Sequence, residues 1–226
     1  MDGPAGTGKT TVARRLAASL GARYLDTGAM YRAAALGVLR ADTDPTEPTS
    51  VAAVVVCRCI EVGTDPAGPR VLLDGDDVTQ EIRGPAVTAA VSPVSAVSRV
   101  RELLVAQQRQ IISAITATGG GIVVEGRDIG TVVAPDAPLK VFLTASAAQR
   151  AARRAAQDGV QDVVEVRRAV DHRDRYDARR AASPMRPASD AVQLDTTTLD
   201  LDAVLAKMHE LAVRRGLVVP ATEDQG

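Results

Sequence analysis

Asparagine and tryptophan are absent from this chain of 226 residues, and phenylalanine occurs once, at Phe142. Without asparagine, the N-K-x-D signature by which guanine-specific switches read their base has no place here. With aromatics at 2%, the chain has few platforms on which single-stranded nucleic acid can stack. Lysine is scarce as well. Lys9, Lys140 and Lys207 leave 24 of the 27 basic residues as arginine, and the net charge of -1 gives no field to draw nucleic acid or an anionic membrane surface. Cysteine is confined to Cys57 and Cys59, too few for a disulfide scaffold or a four-ligand zinc site. Both are expected to pack in the core or the insert and to have no redox role, and a reducing cytoplasm is the expected compartment. No apolar run reaches the roughly 18 residues that cross a bilayer, and the opening residues lack the charged, apolar and small-residue order of a signal peptide.

Hydrophobic residues make up 46% of the chain, enough for a proper core. Val12, Leu16 and Leu20 recur every fourth residue before Gly21, so Lys9 to Leu20 reads as a helix. RYLD is a short strand, and TGAMYRAAALGVLR a second helix with its polar cap at Thr27. DTDPTEPTS, residues 42–50, is a connecting loop. RCIEV and RVLLDGDDVT flank the turn GTDPAG, which predicts a small hairpin inserted between helices. From Arg99 to Thr118, Val100, Leu104, Ile111 and Ile115 share one helical face, and glycines end the helix. GIVVE, LKVFLTA and AVQLD are continuous apolar runs, the pattern of strands covered on both sides, and an amphipathic helix closes the chain. Alternating strands and helices predict an α/β fold around a parallel sheet.

Gly3 to Thr10 spells G-x-x-x-x-G-K-[ST]. In such a loop, backbone N–H groups and the positive end of the following helix gather around phosphate. Lys9 would reach the outer phosphates and the Thr10 hydroxyl would bind Mg²⁺. Gly3, Pro4, Ala5, Gly6, Thr7, Gly8, Lys9, Thr10 and Thr11 are therefore the candidate ATP site. A motor ATPase or helicase would carry an apolar strand ending in adjacent acids. Here the strand ends in Glu125, Gly126, Arg127, Asp128, with a cation where a phosphate is transferred. Thr27 and Arg32 in DTGAMYR form either a second anion site or an ordinary capped helix with a solvated arginine. From Arg150 to Arg186 ten arginines face six acids, a solvated helical face or, lying between two core strands, a lid. Arg150, Arg153 and Arg154 share one face of that segment and suit either ATP contact or lid surface. His172 and His209 are expected to be incidental.

GPAGTGKTT, LDTGAMYR, SRVRELL, VVEGRDIGTVVAPDAPLKVFL, HRDRYDARRAASPMRPASDA and LDTTTLDLDAV stand in the order and spacing of bacterial cytidylate kinases. The chain resembles that family over essentially its whole length, with GRDIGTVV and DAPLKVFL the specific portion, since the phosphate loop is shared by many unrelated enzymes. The resemblance implies a P-loop NTPase three-layer α/β sandwich in one domain. Its core would comprise residues 1–56, 99–145 and 187–226, with a monophosphate-binding insert near 57–98 and a lid near 146–186. It implies a cytoplasmic enzyme that phosphorylates CMP and dCMP with ATP and Mg²⁺, binds neither nucleic acid nor membrane, and is expected to be a monomer. Ser92, Arg101 and Asp128 would contact cytosine, and Thr27, Arg32 and Arg127 would hold the monophosphate end. Arg173, Asp177 and Arg180 would contact sugar and phosphates, and Lys9, Arg127 and Arg173 would bear the charge of the transferred group.

Members of the family carry a short apolar strand ahead of the phosphate loop, whereas only Met1 and Asp2 precede Gly3. The expectation is that the natural chain is longer, and that the sheet of the 226-residue form has a gap beside GIVVE and AVQLD. Two other readings stay open on the residues alone. One is a P-loop kinase of another nucleoside monophosphate or a small hydroxylated metabolite. The other is a nucleotide-binding module without turnover because of truncation.

Overall fold

The computed structural model describes residues 1–159, 162–180 and 183–217. A glycine-rich loop leads into α1 (Lys9–Ser19), followed by β1 (Arg23–Asp26), α2 (Thr27–Arg40) and α3 (Pro48–Val56). Three short strands come next, β2 (Ile60–Val62), β3 (Val71–Leu73) and β4 (Asp76–Asp77), and then α4 (Pro85–Ala96) and α5 (Ser98–Ala117). The chain continues through β5 (Ile122–Glu125), β6 (Val141–Thr144), α6 (Ala147–Asp158), α7 (Val163–Arg179), β7 (Val192–Asp195) and α8 (Leu201–Arg214).

β1 pairs in parallel with β5, and β6 in parallel with β7. The opening residues lie between these pairs. The Met1 ammonium donates to the Val124 carbonyl at 2.7 Å, and the Gly126 N–H donates to the Met1 carbonyl at 3.0 Å. On the other side Asp2 donates to Val141 and accepts from Leu143, both at 2.8 Å. The spatial order is thus β1, β5, residues 1–2, β6, β7, which corrects the expected position of the first segment. It lies beside GIVVE and LKVFL, and AVQLD is one strand further out. As the outer strand, β7 leaves Gln193 and Asp195 exposed, so its sequence does not mark a strand covered on both faces.

Helices cover the sheet on both sides. Val12, Leu16, Val141, Leu143, Val204 and Met208 join α1, β6 and α8 in one core. Leu25, Met30, Val38, Leu104, Val124 and Ile129 belong to the other, built from α2, α5 and the β1–β5 pair. Most of α2 is buried, which its run of small residues permits, and its cap is Asp26, whose carboxylate accepts from the Ala29 N–H at 3.0 Å. Thr27 is not the cap, because its hydroxyl donates to the Glu125 carbonyl at 2.7 Å. α3 begins inside the expected loop, where Pro48 fits the first helical turn.

The predicted hairpin is a three-stranded antiparallel sheet, β2-β3-β4. Asp74 and Gly75 take φ of 54° and 91°, the two left-handed positions of a tight Asp-Gly turn, and fold RVLLDGDDVT back on itself. The loop before β3 returns to the central sheet. Tyr24 N–H donates to Thr64 O at 2.9 Å, and Arg14 donates to Pro66 O and Ala67 O, each at 2.9 Å. Cys57 and Cys59, expected to pack in the core or the insert, are both exposed where α3 gives way to β2.

Leu143 is fully buried at the centre of the α1–β6–α8 core. Leu143→Ala is expected to cost about 2–5 kcal/mol in urea-induced unfolding. A loss below about 1 kcal/mol would contradict that central position.

Candidate active site

The glycine-rich loop is shaped by close packing before any ligand is considered. Gly3 has φ of 144°, and a Cβ there would lie 2.2 Å from the Leu143 carbonyl oxygen. Gly6 has φ of 77°, and its Cβ would meet the Arg150 carbonyl oxygen at 2.5 Å. Glycine alone allows the loop to nest between β6 and the start of α6. Lys9 Nζ donates to the Pro4 carbonyl at 2.7 Å, and Thr7 Oγ1 to the same oxygen at 3.1 Å. Burial, together with the neighbouring Arg127 charge, lowers the Lys9 pKa. Thr10 Oγ1 donates to Glu125 Oε2 at 3.1 Å, the Tyr24 hydroxyl donates to Glu125 Oε1, and Thr11 is exposed. Burial raises the Glu125 pKa, with the Asp26 charge adding to it and Lys9 opposing it.

The α6–α7 pair closes over this loop. Ala5 N–H donates to Asp174 Oδ1 at 3.0 Å, and Arg150 pairs with the same carboxylate while donating to the Ala5 carbonyl at 3.2 Å. Arg153 donates to the Thr196 hydroxyl at 2.9 Å and the Thr196 carbonyl at 2.7 Å, just beyond β7. The guanidinium groups of Arg150 and Arg153 are thus engaged with the loop and strand ends, not spread over a solvated surface.

Facing the loop is a second cluster. Arg127 donates from Nη1 to the Gly3 carbonyl at 2.5 Å and from Nε to Asp177 Oδ2 at 3.0 Å. Arg101 and Asp128 form a buried ion pair. Arg101 also donates to the Ser95 carbonyl at 3.2 Å and lies 5.2 Å from the centre of the Tyr31 ring. Burial raises the Asp128 pKa, with Arg101 and Arg180 opposing it. Arg180 Nε donates to the Asp177 carbonyl at 3.3 Å. Arg32 is fixed by the Ile82 carbonyl at 3.0 Å and the Thr88 hydroxyl at 2.9 Å, and burial lowers its pKa to about 10. Arg173 is lowered to about 9 by burial, with Arg127 and Arg32 contributing their like charges. Ser92 is half-buried on α4, and its carbonyl accepts from Ser95 Oγ at 3.0 Å.

Among the described residues, several buried polar atoms here have no hydrogen-bond partner: Tyr31 Oη, Arg101 Nε, Arg173 Nε and Arg180 Nη2. Such atoms normally find partners, so those of Tyr31, Arg101 and Arg180 around Asp128, and that of Arg173 near Arg127 and Arg32, mark a place where a polar ligand completes the bonding. The sequence reading gave no role to Glu125, Tyr24, Asp2 or Asp174. Glu125 carried a legible signal, an acid closing an apolar strand. Asp174 carried none, since its contact with Ala5 spans 169 residues. Among the described residues no group of three or more His, Cys, Asp or Glu is arranged to hold a metal ion. No helix among the described residues is long and apolar enough to cross a membrane. His209 meets Ser19 Oγ at 2.8 Å on the surface.

A lysine- and threonine-bearing anion loop at the start of α1, opposed by an arginine-rich cluster, defines a P-loop phosphotransferase of the nucleoside monophosphate kinase class. The family model described as cytidylate kinase matches residues 1–214. The cytidylate kinase of Rhodococcus opacus is 56% identical over 92% of this chain and 91% of its own length. Those of Nocardia farcinica and Corynebacterium diphtheriae are 53% and 51% identical over 95% and 93% of this chain, covering 93% and 92% of their own lengths. The chain belongs to the cytidylate kinase family.

Asp174→Ala would leave the Ala5 N–H and the Arg150 guanidinium without their carboxylate. Loss of a buried partner costs about 1–3 kcal/mol, so segment 147–180 is expected to open roughly five- to a hundredfold more often. Limited trypsin digestion reads this as faster cleavage within that segment. An unchanged cleavage rate would show that Asp174 does not hold α7 on the loop.

Proposed function

We propose that this protein transfers the γ-phosphoryl group of ATP to CMP and dCMP, giving CDP and dCDP. One observation carries the reading: the adjacent residues Arg127 and Asp128 face different halves of the site. Arg127 reaches the Gly3 carbonyl of the phosphate loop, while Asp128 pairs with Arg101 beside Tyr31. A residue pair so arranged suits the junction of two nucleotides laid end to end. Relatives named cytidylate kinase at 51–56% identity support the same acceptor.

Cytosine offers an N4 amino donor beside the N3 and O2 acceptors, the complement of a carboxylate and a guanidinium. Asp128 accepts from N4 in this reading, Arg101 donates toward N3 and O2, and Ser92 completes the base contacts. Uracil would oppose its O4 acceptor to the Asp128 carboxylate and leave a buried polar group unpaired. Thr27, Arg32 and Arg127 hold the acceptor phosphate, and Arg173, Asp177 and Arg180 contact its sugar and phosphates. Gly3, Pro4, Ala5, Gly6, Thr7, Gly8, Lys9, Thr10 and Thr11 wrap the donor phosphates through backbone N–H groups, the lysine and the threonine hydroxyls.

The acceptor phosphate oxygen is already anionic, so no general base is required. It bonds to the γ-phosphorus as the bond to the β,γ-bridging oxygen breaks, and ADP leaves with that electron pair. Lys9, Arg127 and Arg173 supply positive charge where the transferred group passes, and burial keeps water away. Lys9 rests on the Pro4 carbonyl and moves from there to phosphate. The Thr10 hydroxyl and Glu125 carboxylate, 3.1 Å apart, are hard oxygen donors that would hold Mg²⁺. When bound, that ion neutralises phosphate charge and orients the donor. Residues 57–98 serve as the monophosphate-binding part and 146–186 as the lid of one cytoplasmic, monomeric enzyme.

A panel of CMP, dCMP, UMP and AMP with ATP and Mg²⁺ tests the assignment, which fails if UMP or AMP is preferred over both cytidine nucleotides. Lys9→Met is expected to lower kcat by about 10²–10³. Asp128→Asn is expected to reduce the CMP-over-UMP ratio of kcat/KM at least about tenfold with the KM for ATP within about twofold. Equal loss for both nucleotides contradicts the role given to Asp128.

A further inference from the structure

The opening residues of the chain hold both halves of the site at once. The Met1 carbonyl accepts from Gly126 N–H at 3.0 Å, and the Gly3 carbonyl accepts from Arg127 at 2.5 Å. Between them the Asp2 carboxylate, only 5% exposed, accepts from Ile129 N–H at 2.7 Å through Oδ1 and from Gly130 N–H at 2.8 Å through Oδ2. Three consecutive residues thus grip the five-residue segment 126–130 through four bonds.

Asp128 sits inside that grip. Its backbone, at φ −145° and ψ 27°, leaves regular geometry, and a π-helical turn from Ile129 to Val133 follows directly. π-turns are uncommon and need outside support for their amides. Two charge-assisted bonds from one carboxylate give that support. The packing is close, because a Cβ on Gly130 would lie 3.4 Å from Asp2 Oδ2 and 3.2 Å from Lys140 Cδ. A buried carboxylate is a costly filler between strands, since an apolar side chain would fill the same space without desolvating a charge. Its value lies in what it orients.

We infer that Asp2 is a positioning residue for base recognition: by fixing the two amides that follow Asp128, it aims the Asp128 carboxylate at Arg101. It thereby links the segment entering the phosphate loop to the pair that reads the acceptor base. The inference rests on the reading of Asp128 given above.

Asp2→Asn keeps the side-chain volume and one acceptor but turns an NH₂ group toward one of the two amides. In steady-state assays the KM for CMP is expected to rise, and the CMP-over-UMP ratio of kcat/KM to fall, each at least about fivefold. The KM for ATP should stay within about twofold. A carboxylate that only stabilised the fold would lower the melting midpoint and leave the ratio intact, and that result overturns the inference. In the double variant with Asp128→Asn, discrimination should match that of Asp128→Asn alone within about twofold, because one residue acts through the other. Losses that multiply also overturn it. If Asp128→Asn itself leaves discrimination unchanged, the base-reading assignment has failed and this inference falls with it. That case is distinct from an effective Asp128→Asn beside a silent Asp2→Asn. Should Asp2→Asn not fold, hydrogen exchange on the unsubstituted protein decides. The Ile129 and Gly130 amides are expected to exchange as slowly as the Leu143 amide, and exchange more than about tenfold faster overturns the inference.

Discussion

Arg32, Arg127 and Arg173 repel one another where burial, with these like charges added, lowers the proton affinity of Arg32 and Arg173. Opposite charges lie close by: Asp177 on Arg127 and Arg180, Asp128 on Arg101, and Asp26 near Arg32. The remaining compensation comes from carbonyls, those of Gly3, Ile82, Ser95 and Asp177. Carbonyl dipoles orient a guanidinium without cancelling its charge, so a phosphate group brought among these arginines meets attraction. Ligands that bind only the folded protein then stabilise it by mass action, and the empty cleft is the less stable state.

The fold around the cleft reads as a means of holding that repulsion in place. Strand ends deliver Glu125, Arg127 and Asp128 on one short stretch, α2 delivers Tyr31 and Arg32, and α7 delivers Arg173, Asp174 and Asp177. Apolar faces anchor these elements, those of α2 and β5 in the core beside the sheet and that of α7 through Val166 and Val170 against Ala155 of α6, so the entropic cost of ordering the long arginine side chains is met by packing elsewhere. Asp174 on the Ala5 amide and Arg150 on the Ala5 carbonyl lock α6 and α7 to the loop through opposite poles of one residue.

Much of this was legible in the sequence, because periodicity and local chemistry carry it. The apolar runs GIVVE and LKVFL became paired strands, and the fourfold spacing of Val12 and Leu16 became the buried face of α1. The glycine loop announced its anion site through residue type alone. What was not legible depends on contacts distant in sequence or on competition between neighbours. Thr27 looked like a cap, but Asp26 stands one residue earlier and takes the Ala29 amide, freeing the Thr27 hydroxyl for the Glu125 carbonyl. RVLLDGDDVT reads as one β-rich arm, although its Asp-Gly pair is a local turn signal that folds β3 onto β4. The cysteines lie outside the core because the chain leaves α3 for β2 at that point, and no pattern in residues 57–59 reports which way it turns.

The loop at residues 64–67 lies along the outer margin of β1, held by the Tyr24 amide and by two bonds from Arg14. The opposite margin is β7, four residues long, with Gln193 and Asp195 facing water. Edges of this kind resist extension, one by being covered and the other by being brief and polar. The central sheet is thus hemmed on both sides, and a second polypeptide finds no long apolar ladder on which to continue it.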